Sequence, residues 1–109
     1  MPIAAIAMTS EHRALVIGIL RRHLPSEARV WVFGSRATGR ARPYSDLDSA
    51  IDAGRPLSLD ETGALAEAFS DSDLPYRVDI VDWHTTGDAF RRLVVADRLS
   101  LLSGAEAGE

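Results

Sequence analysis

The chain has 109 residues, of which 46% are hydrophobic and 26% charged, which is the size and composition of one globular domain. It contains no cysteine, which excludes disulfide bonds, a thiol nucleophile and zinc sites built on sulfur. All 12 basic residues are arginine, so functions that need a lysine, such as a Walker phosphate loop or a Schiff base, are excluded too. The net charge of −4 argues against a protein that holds nucleic acid through its overall charge.

We do not expect the first residues of the chain to form a targeting signal. The apolar residues 1–8 lack a basic region and are too short for a signal peptide or a membrane span. We therefore expect a soluble, cytoplasmic protein with no membrane partner and no direct nucleic-acid binding. We interpret residues 1–109 as a single domain without repeats, in which the small polar residues 103–109 form a flexible tail.

The first half of the chain predicts a helix, a buried strand and a short second helix. Thr9 or Ser10 can cap the first helix, whose apolar stripe ends before Pro25. The apolar run over residues 30–33 is typical of a strand that is buried on both faces. Residues 36–40 can form one or two helical turns.

The second half predicts two more strands and two more helices. Residues 46–52 alternate as a strand does, with Leu47 and Ile51 on one face and Asp46, Asp48 and Ala50 on the other. Ser58-Leu-Asp-Glu61 is a capping box that opens a third helix. Residues 77–83 form a third strand, and Thr85 or Thr86 caps a last helix. The stripe of that helix consists of Phe90, Leu93, Val94, Asp97 and Leu101. The order αβαβαβα predicts an α/β (α+β) fold, with a small mixed β-sheet flanked by helices.

Three aspartates lie on predicted strands, where carboxylates are normally disfavoured. Asp46 and Asp48 leave the same face of one strand, about 6.6 Å apart, and Asp79 lies in an apolar stretch of another. Two carboxylates about 5 Å apart repel by about 3 kcal/mol at an effective dielectric constant near 20. Either one of the three is protonated or a divalent cation lies between them. Ligands that are all oxygen favour Mg²⁺ or Mn²⁺.

A glycine–serine pair supplies the second part of a candidate site. Gly34 and Ser35 join a strand to a helix, where backbone N–H groups and a hydroxyl can bind an anion. Arg36 can add a forked positive charge, or it can be a surface residue. The ten residues between Ser35 and Asp46 are enough to fold back, so that phosphate cradle and carboxylates face one pocket. Phosphoryl and nucleotidyl transfer require this arrangement.

These residues carry a family resemblance. Gly34-Ser35-x10-Asp46-x-Asp48, within GSRATGRARPYSDLD, followed by Asp79 in RVDIVDW, resembles the minimal nucleotidyltransferases of the DNA polymerase β superfamily. The chain looks most like the MNT-domain antitoxins that are paired with HEPN-domain toxins. The resemblance covers nearly the whole chain and implies the polymerase β-like nucleotidyltransferase fold. It also implies that Gly34 and Ser35 hold a nucleoside triphosphate and that the three aspartates bind two Mg²⁺ ions.

The activity that the resemblance implies is transfer of AMP from Mg-ATP to a tyrosine hydroxyl of a HEPN RNase toxin, which is thereby neutralised. We therefore expect a hetero-oligomer with this toxin. Ser49 departs from the family pattern, which usually has an apolar residue there, but the ligand set is intact. Two alternatives remain: an antitoxin that acts by binding alone, and nucleotidyl transfer to a small molecule such as an aminoglycoside. A chain of this length favours a protein acceptor, because little of it is left to bind a free antibiotic.

Several neighbouring residues have two interpretations. Ser45, next to the aspartate pair, can contact the nucleotide or position the loop. Asp79 is preferred to Asp82 as the third ligand, because of its apolar neighbours and the resemblance. Asp52 shares a face with Asp48, and we expect it at the solvent end of its strand. The acceptor, the number of AMP groups moved, the nucleotide preference and the oligomeric state cannot be read from the sequence.

Overall fold

The computed structural model describes residues 5–104. Its helices are α1 (Ser10–His23), α2 (Ser35–Thr38), α3 (Leu59–Ser70) and α4 (Asp88–Asp97). Its strands are β1 (Arg29–Phe33), β2 (Leu47–Asp52), β3 (Val78–Asp82) and β4 (Leu99–Ser103), and a 3₁₀ turn over Trp83–Thr85 follows β3. In this part of the chain, no helix has the length and apolar character that a membrane span requires.

The four strands form one mixed sheet in the order β3-β2-β1-β4. β1 is antiparallel to both of its neighbours, whereas β2 and β3 are parallel. A parallel pair needs a crossover connection, which α3 provides. The predicted fold class, a small mixed sheet with helices, is confirmed.

The prediction for the end of the chain is wrong. The last helix ends at Asp97, and the next residues form β4, which pairs with β1. Leu101 therefore belongs to a strand, not to the helix stripe, and Ser103, predicted to begin the tail, ends β4. The apolar residues at 99, 101 and 102 fit either structure locally, and the open edge of β1 decides for the strand. Residues 105–109 lie outside the described part of the chain.

Side-chain caps account for two of the four helix starts. Thr9 caps α1 by accepting a hydrogen bond from the His12 N–H. Ser58 and Glu61 form the predicted capping box at α3, with both reciprocal hydrogen bonds present. The cap of α4 is Gly87, rather than either predicted threonine.

The main core lies on one face of the sheet, where α1 and α3 pack. It is formed by apolar side chains that alternate along the strands and recur along the helices, among them Val16, Leu20, Val30, Val32, Leu47, Ile51, Leu65 and Phe69. Side chains at the intervening strand positions leave the other face. There, the Trp31 ring packs on Trp83 and the Phe33 ring on Phe90. The rest of that face carries Asp48 and Asp52 of β2 and Asp79 of β3.

Candidate active site

Gly34 forms the junction between β1 and α2. Its φ of +74° lies in the region that favours glycine. A Cβ atom at this position would overlap the Oδ2 atom of Asp48. The carboxylate therefore lies directly against the start of α2, so the chain does fold back over the spacer between the glycine–serine pair and the aspartates.

The three aspartates lie together at one end of the parallel strands. Asp48 and Asp79 are directly opposed in the register of β2 and β3, so their side chains leave the same face. Asp46 precedes β2 by one residue, since the strand begins at Leu47 rather than at 46. Of the two acidic residues in β3, it is Asp79, not Asp82, that lies beside Asp48.

This arrangement disfavours the ionised form of Asp48. Burial raises the pKa of Asp48, and the negative charges of Asp79 and Asp46 raise it further. A hydrogen bond with Asp79 acts in the same direction, and the Arg77 charge opposes them. The site therefore concentrates negative charge, which a bound cation would relieve.

Arg77 is a residue of the site that the sequence pattern did not single out. Its Nη2 atom lies 3.4 Å from Asp46 Oδ2 and 3.2 Å from Asp79 Oδ1. The side chain is 73% exposed. The only sequence signal for it is its position two residues before Asp79, which places both side chains on one face of the strand.

Ser35 and Ser45 flank this cluster from the two ends of the connecting segment. Ser35 is the first residue of α2, where backbone N–H groups have no partner within the helix. Ser45 Oγ accepts a hydrogen bond from the Arg42 N–H at 2.9 Å, and the Ser45 N–H donates to the Arg42 carbonyl. The Ser45 hydroxyl thus stabilises the turn that leads to Asp46, which is the loop-positioning alternative. Nucleotide contact by Ser45 stays a prediction.

Arg36 is placed differently from either sequence interpretation. Its side chain is buried, with 4% relative exposure, and its guanidinium stacks on the Tyr76 ring at 3.7 Å. It donates hydrogen bonds to the carbonyl oxygens of Ala7 (2.6 Å), Pro43 (3.0 Å) and Ser45 (3.0 Å). The arginine joins the N-terminal segment to the loop before Asp46 instead of facing the phosphate cradle.

The expectation that Asp52 lies at the solvent end of its strand is wrong. Asp52 is buried rather than solvent-exposed, with Arg29 Nη2 at 2.8 Å and His84 Nε2 at 2.7 Å from its carboxylate oxygens. Burial raises the pKa of Asp52, but hydrogen bonds from Gly54, His84 and Arg29 outweigh it and leave the pKa below its ordinary value. No pattern in the sequence predicts a partner for His84.

The donor set of the site fits a divalent cation of the hard type. Asp46, Asp48 and Asp79 offer only oxygen ligands. Burial and then the charges of Asp79 and Asp46 raise the pKa of Asp48, and a bound cation would offset this clustering of negative charge. Within residues 5–104, no three acidic or histidine side chains already stand in ligand geometry. Since Arg77 bridges two of the carboxylates, they must turn from it to share an ion.

The fold thus sets a glycine turn at a helix start against three carboxylates, two on neighbouring strands and one just before a strand. The family model described as "Polymerase beta, Nucleotidyltransferase" matches residues 16–106. The chain therefore belongs to the polymerase beta nucleotidyltransferase family.

Individual proteins and solved structures that are similar to this chain agree with the family assignment. The chain is 47% identical over 91 residues to the "Probable protein adenylyltransferase MntA" of Haemophilus influenzae, covering 84% of this chain and 79% of the relative. It is similar to a crystal structure of a toxin–antitoxin with AMP-PNP (26% identity, TM-score 0.73, 87% of this chain and 76% of the other). It is also similar to a structure of a tri-AMPylated Shewanella oneidensis HEPN toxin in complex with MNT antitoxin (26% identity, TM-score 0.70, 93% and 77%).

Proposed function

We propose that this nucleotidyltransferase is an antitoxin that moves AMP from Mg-ATP to a tyrosine hydroxyl of a partner HEPN-domain toxin, and thereby neutralises it. The observation that carries the proposal is the position of Asp48 against Gly34 and opposite Asp79 in the strand register, which would join a phosphate cradle to a cation site. The similar proteins support the choice of acceptor. One is a probable protein adenylyltransferase, and another is an antitoxin in complex with an AMPylated toxin.

In this proposal Asp46, Asp48 and Asp79 hold two Mg²⁺ ions, and the backbone at Gly34 and Ser35 holds the triphosphate. When bound, the ions supply electrostatic stabilisation of the charge that develops on the phosphoryl oxygens. The tyrosine oxygen forms a bond to the α-phosphorus of ATP, and the bond from that phosphorus to the pyrophosphate leaving group breaks. The Asp79 carboxylate accepts the tyrosine proton, since a base must lie within hydrogen-bond reach of the hydroxyl.

The test is mass spectrometry of the protein encoded beside this one, after incubation with this chain and Mg-ATP. We expect increments of about 329 Da, one for each AMP on a tyrosine. Asp79→Asn should abolish them. Asp97→Asn is the matched control. It removes the same negative charge, but from an exposed residue at the end of α4.

Three results would contradict the proposal. Labelling at the wild-type rate by Asp79→Asn would remove the carboxylate cluster from the reaction. Full neutralisation of the toxin by an Asp46→Ala/Asp48→Ala double variant would show that binding alone suffices. If the neighbouring protein stays unlabelled while an aminoglycoside gains AMP, the acceptor is a small molecule.

A further inference from the structure

We propose that Arg77 has two positions: a counter-ion to Asp46 and Asp79 before cations bind, and a ligand of the nucleotide phosphates afterwards. This gives the site a guanidinium for the nucleotide, although the one that the sequence predicted, on Arg36, is turned into backbone carbonyls. The inference rests on the nucleotide substrate of the proposed function, but not on its protein acceptor.

The first position is the one that the structure shows. A single nitrogen, Arg77 Nη2, lies between Asp46 Oδ2 and Asp79 Oδ1, at 3.4 and 3.2 Å. These are long ion pairs, and all three side chains are exposed by 44% to 73%. Ion pairs of this kind contribute little free energy, so the guanidinium can leave the carboxylates readily.

The backbone of Arg77 is fixed while its side chain is free. Its carbonyl oxygen accepts a hydrogen bond from the Leu47 N–H at 2.8 Å, and its neighbours are the buried Tyr76 and the first residue of β3. Any movement is therefore confined to the side chain. Open space lies beside it, because Arg77 and Asp79 both line a cavity of about 510 Å³.

Charge explains the second position. Once divalent cations neutralise the carboxylates, the Arg77 guanidinium loses both partners and is repelled by the ions. A triphosphate that shares those ions brings new negative charge to the same place. The planar guanidinium matches phosphate oxygens in geometry and is always protonated. Arg77 therefore weakens cation binding when the nucleotide is absent and strengthens binding of the nucleotide itself.

The experiment measures these two opposite effects separately, without any acceptor protein. Mn²⁺ alone is titrated and followed by electron paramagnetic resonance, and a non-hydrolysable ATP analogue with Mg²⁺ is titrated by calorimetry. For Arg77→Gln we expect about 3- to 10-fold tighter Mn²⁺ binding and about 10-fold weaker analogue binding. Arg77→Lys keeps the charge, so its Mn²⁺ affinity should equal wild type while analogue binding is weakened. Arg55→Gln, which removes the same charge at the Glu61 ion pair, should change neither.

Unchanged affinities in Arg77→Gln would overturn the proposal. Weaker binding of both Mn²⁺ and the analogue would also overturn it, because Arg77 would then serve only to hold the carboxylates in place. If Arg77→Gln fails to fold, as judged by its circular dichroism melt, Arg77→Lys decides: analogue binding at the wild-type level contradicts the second position. A failure to label any toxin leaves these affinities interpretable, so the two proposals fail separately.

Discussion

Asp48 and Asp52 lie on the same face of β2, four residues apart, but the charges around them have opposite signs. Asp48 at one end is opposed by two further carboxylates, and these and its burial raise its pKa. Asp52 at the other end is buried between Arg29, His84 and the Gly54 N–H, which together lower its pKa. Position on a strand therefore does not decide what a carboxylate does. Asp52 has the partners of a structural ion pair. Around Asp48 the negative charges outweigh the single opposing charge of Arg77, and a cation could neutralise them.

The largest effect should come from exchanging each of these aspartates for asparagine. Asp48→Asn should lower AMP transfer about 1000-fold, because a cation ligand is lost, while stability stays equal or rises as repulsion is removed. Asp52→Asn should retain transfer and lose about 1–3 kcal/mol of stability, since Arg29 and His84 lose their partner. Labelled-AMP transfer and urea denaturation measure the two quantities. If both variants mainly lose stability, the proposed difference in role between Asp48 and Asp52 is wrong.

A second test concerns the contact that brings Asp48 to the glycine turn. Gly34→Ala should reduce transfer about 100-fold, because a Cβ atom would push the Asp48 carboxylate away. Gly39→Ala is the matched control: Gly39 also has a positive φ, of +81°, but an added Cβ would meet nothing within 4 Å. It should cost about 1 kcal/mol of stability and leave transfer near wild type. Equal transfer in the two variants would show that the contact is unimportant.

A third test asks whether the hydrogen bonds of Arg36 to the loop before Asp46 stabilise the fold. Arg36→Met should lower the free energy of unfolding by about 3 kcal/mol, since several buried carbonyl groups lose their donor. Arg40→Met, an exposed arginine just beyond α2, should change it by less than about 0.5 kcal/mol. An unchanged urea midpoint in Arg36→Met, combined with a raised KM for ATP, would instead restore the phosphate role that the sequence predicts.

The smallest effects are in the pH dependence of stability. The pKa of Asp52 is lowered in the folded state, so its contribution is present above the unfolded value of 3.8 and is lost as the pH falls through the folded pKa. The pKa of Asp48 is raised, so its ionisation costs stability as the pH rises through the folded pKa. Urea denaturation from pH 7 to pH 3 should show that Asp52→Asn flattens the acid side. Asp48→Asn should flatten the region above pH 3.8. Parallel curves for wild type and both variants would contradict the two assignments.

Much of the candidate site follows from short stretches of sequence. The alternation of strand side chains predicted that Asp46 and Asp48 leave one face, and the turn at Gly34 follows directly on an apolar strand. The capping box at Ser58 and Glu61 is likewise a local signal, and the structure confirms it. The end of α4 was predicted wrongly because Leu99 to Leu102 suit a helix or a strand equally, and only the edge of β1 distinguishes them.

Local sequence patterns were enough to predict the order of most elements, a mixed sheet with helices, and the residues that could form the site. Each of these depends on neighbours a few positions apart. The tertiary structure alone decided the fourth strand, the burial of Arg36 and the ion pairs of Asp52. The partners in these last contacts are 23, 29 and 32 residues apart in the chain, for Arg29 with Asp52, Arg36 with Ala7 and His84 with Asp52. No local pattern carries information about groups that meet only when the sheet has formed, because hydrogen-bonding capacity is the same whichever distant partner satisfies it.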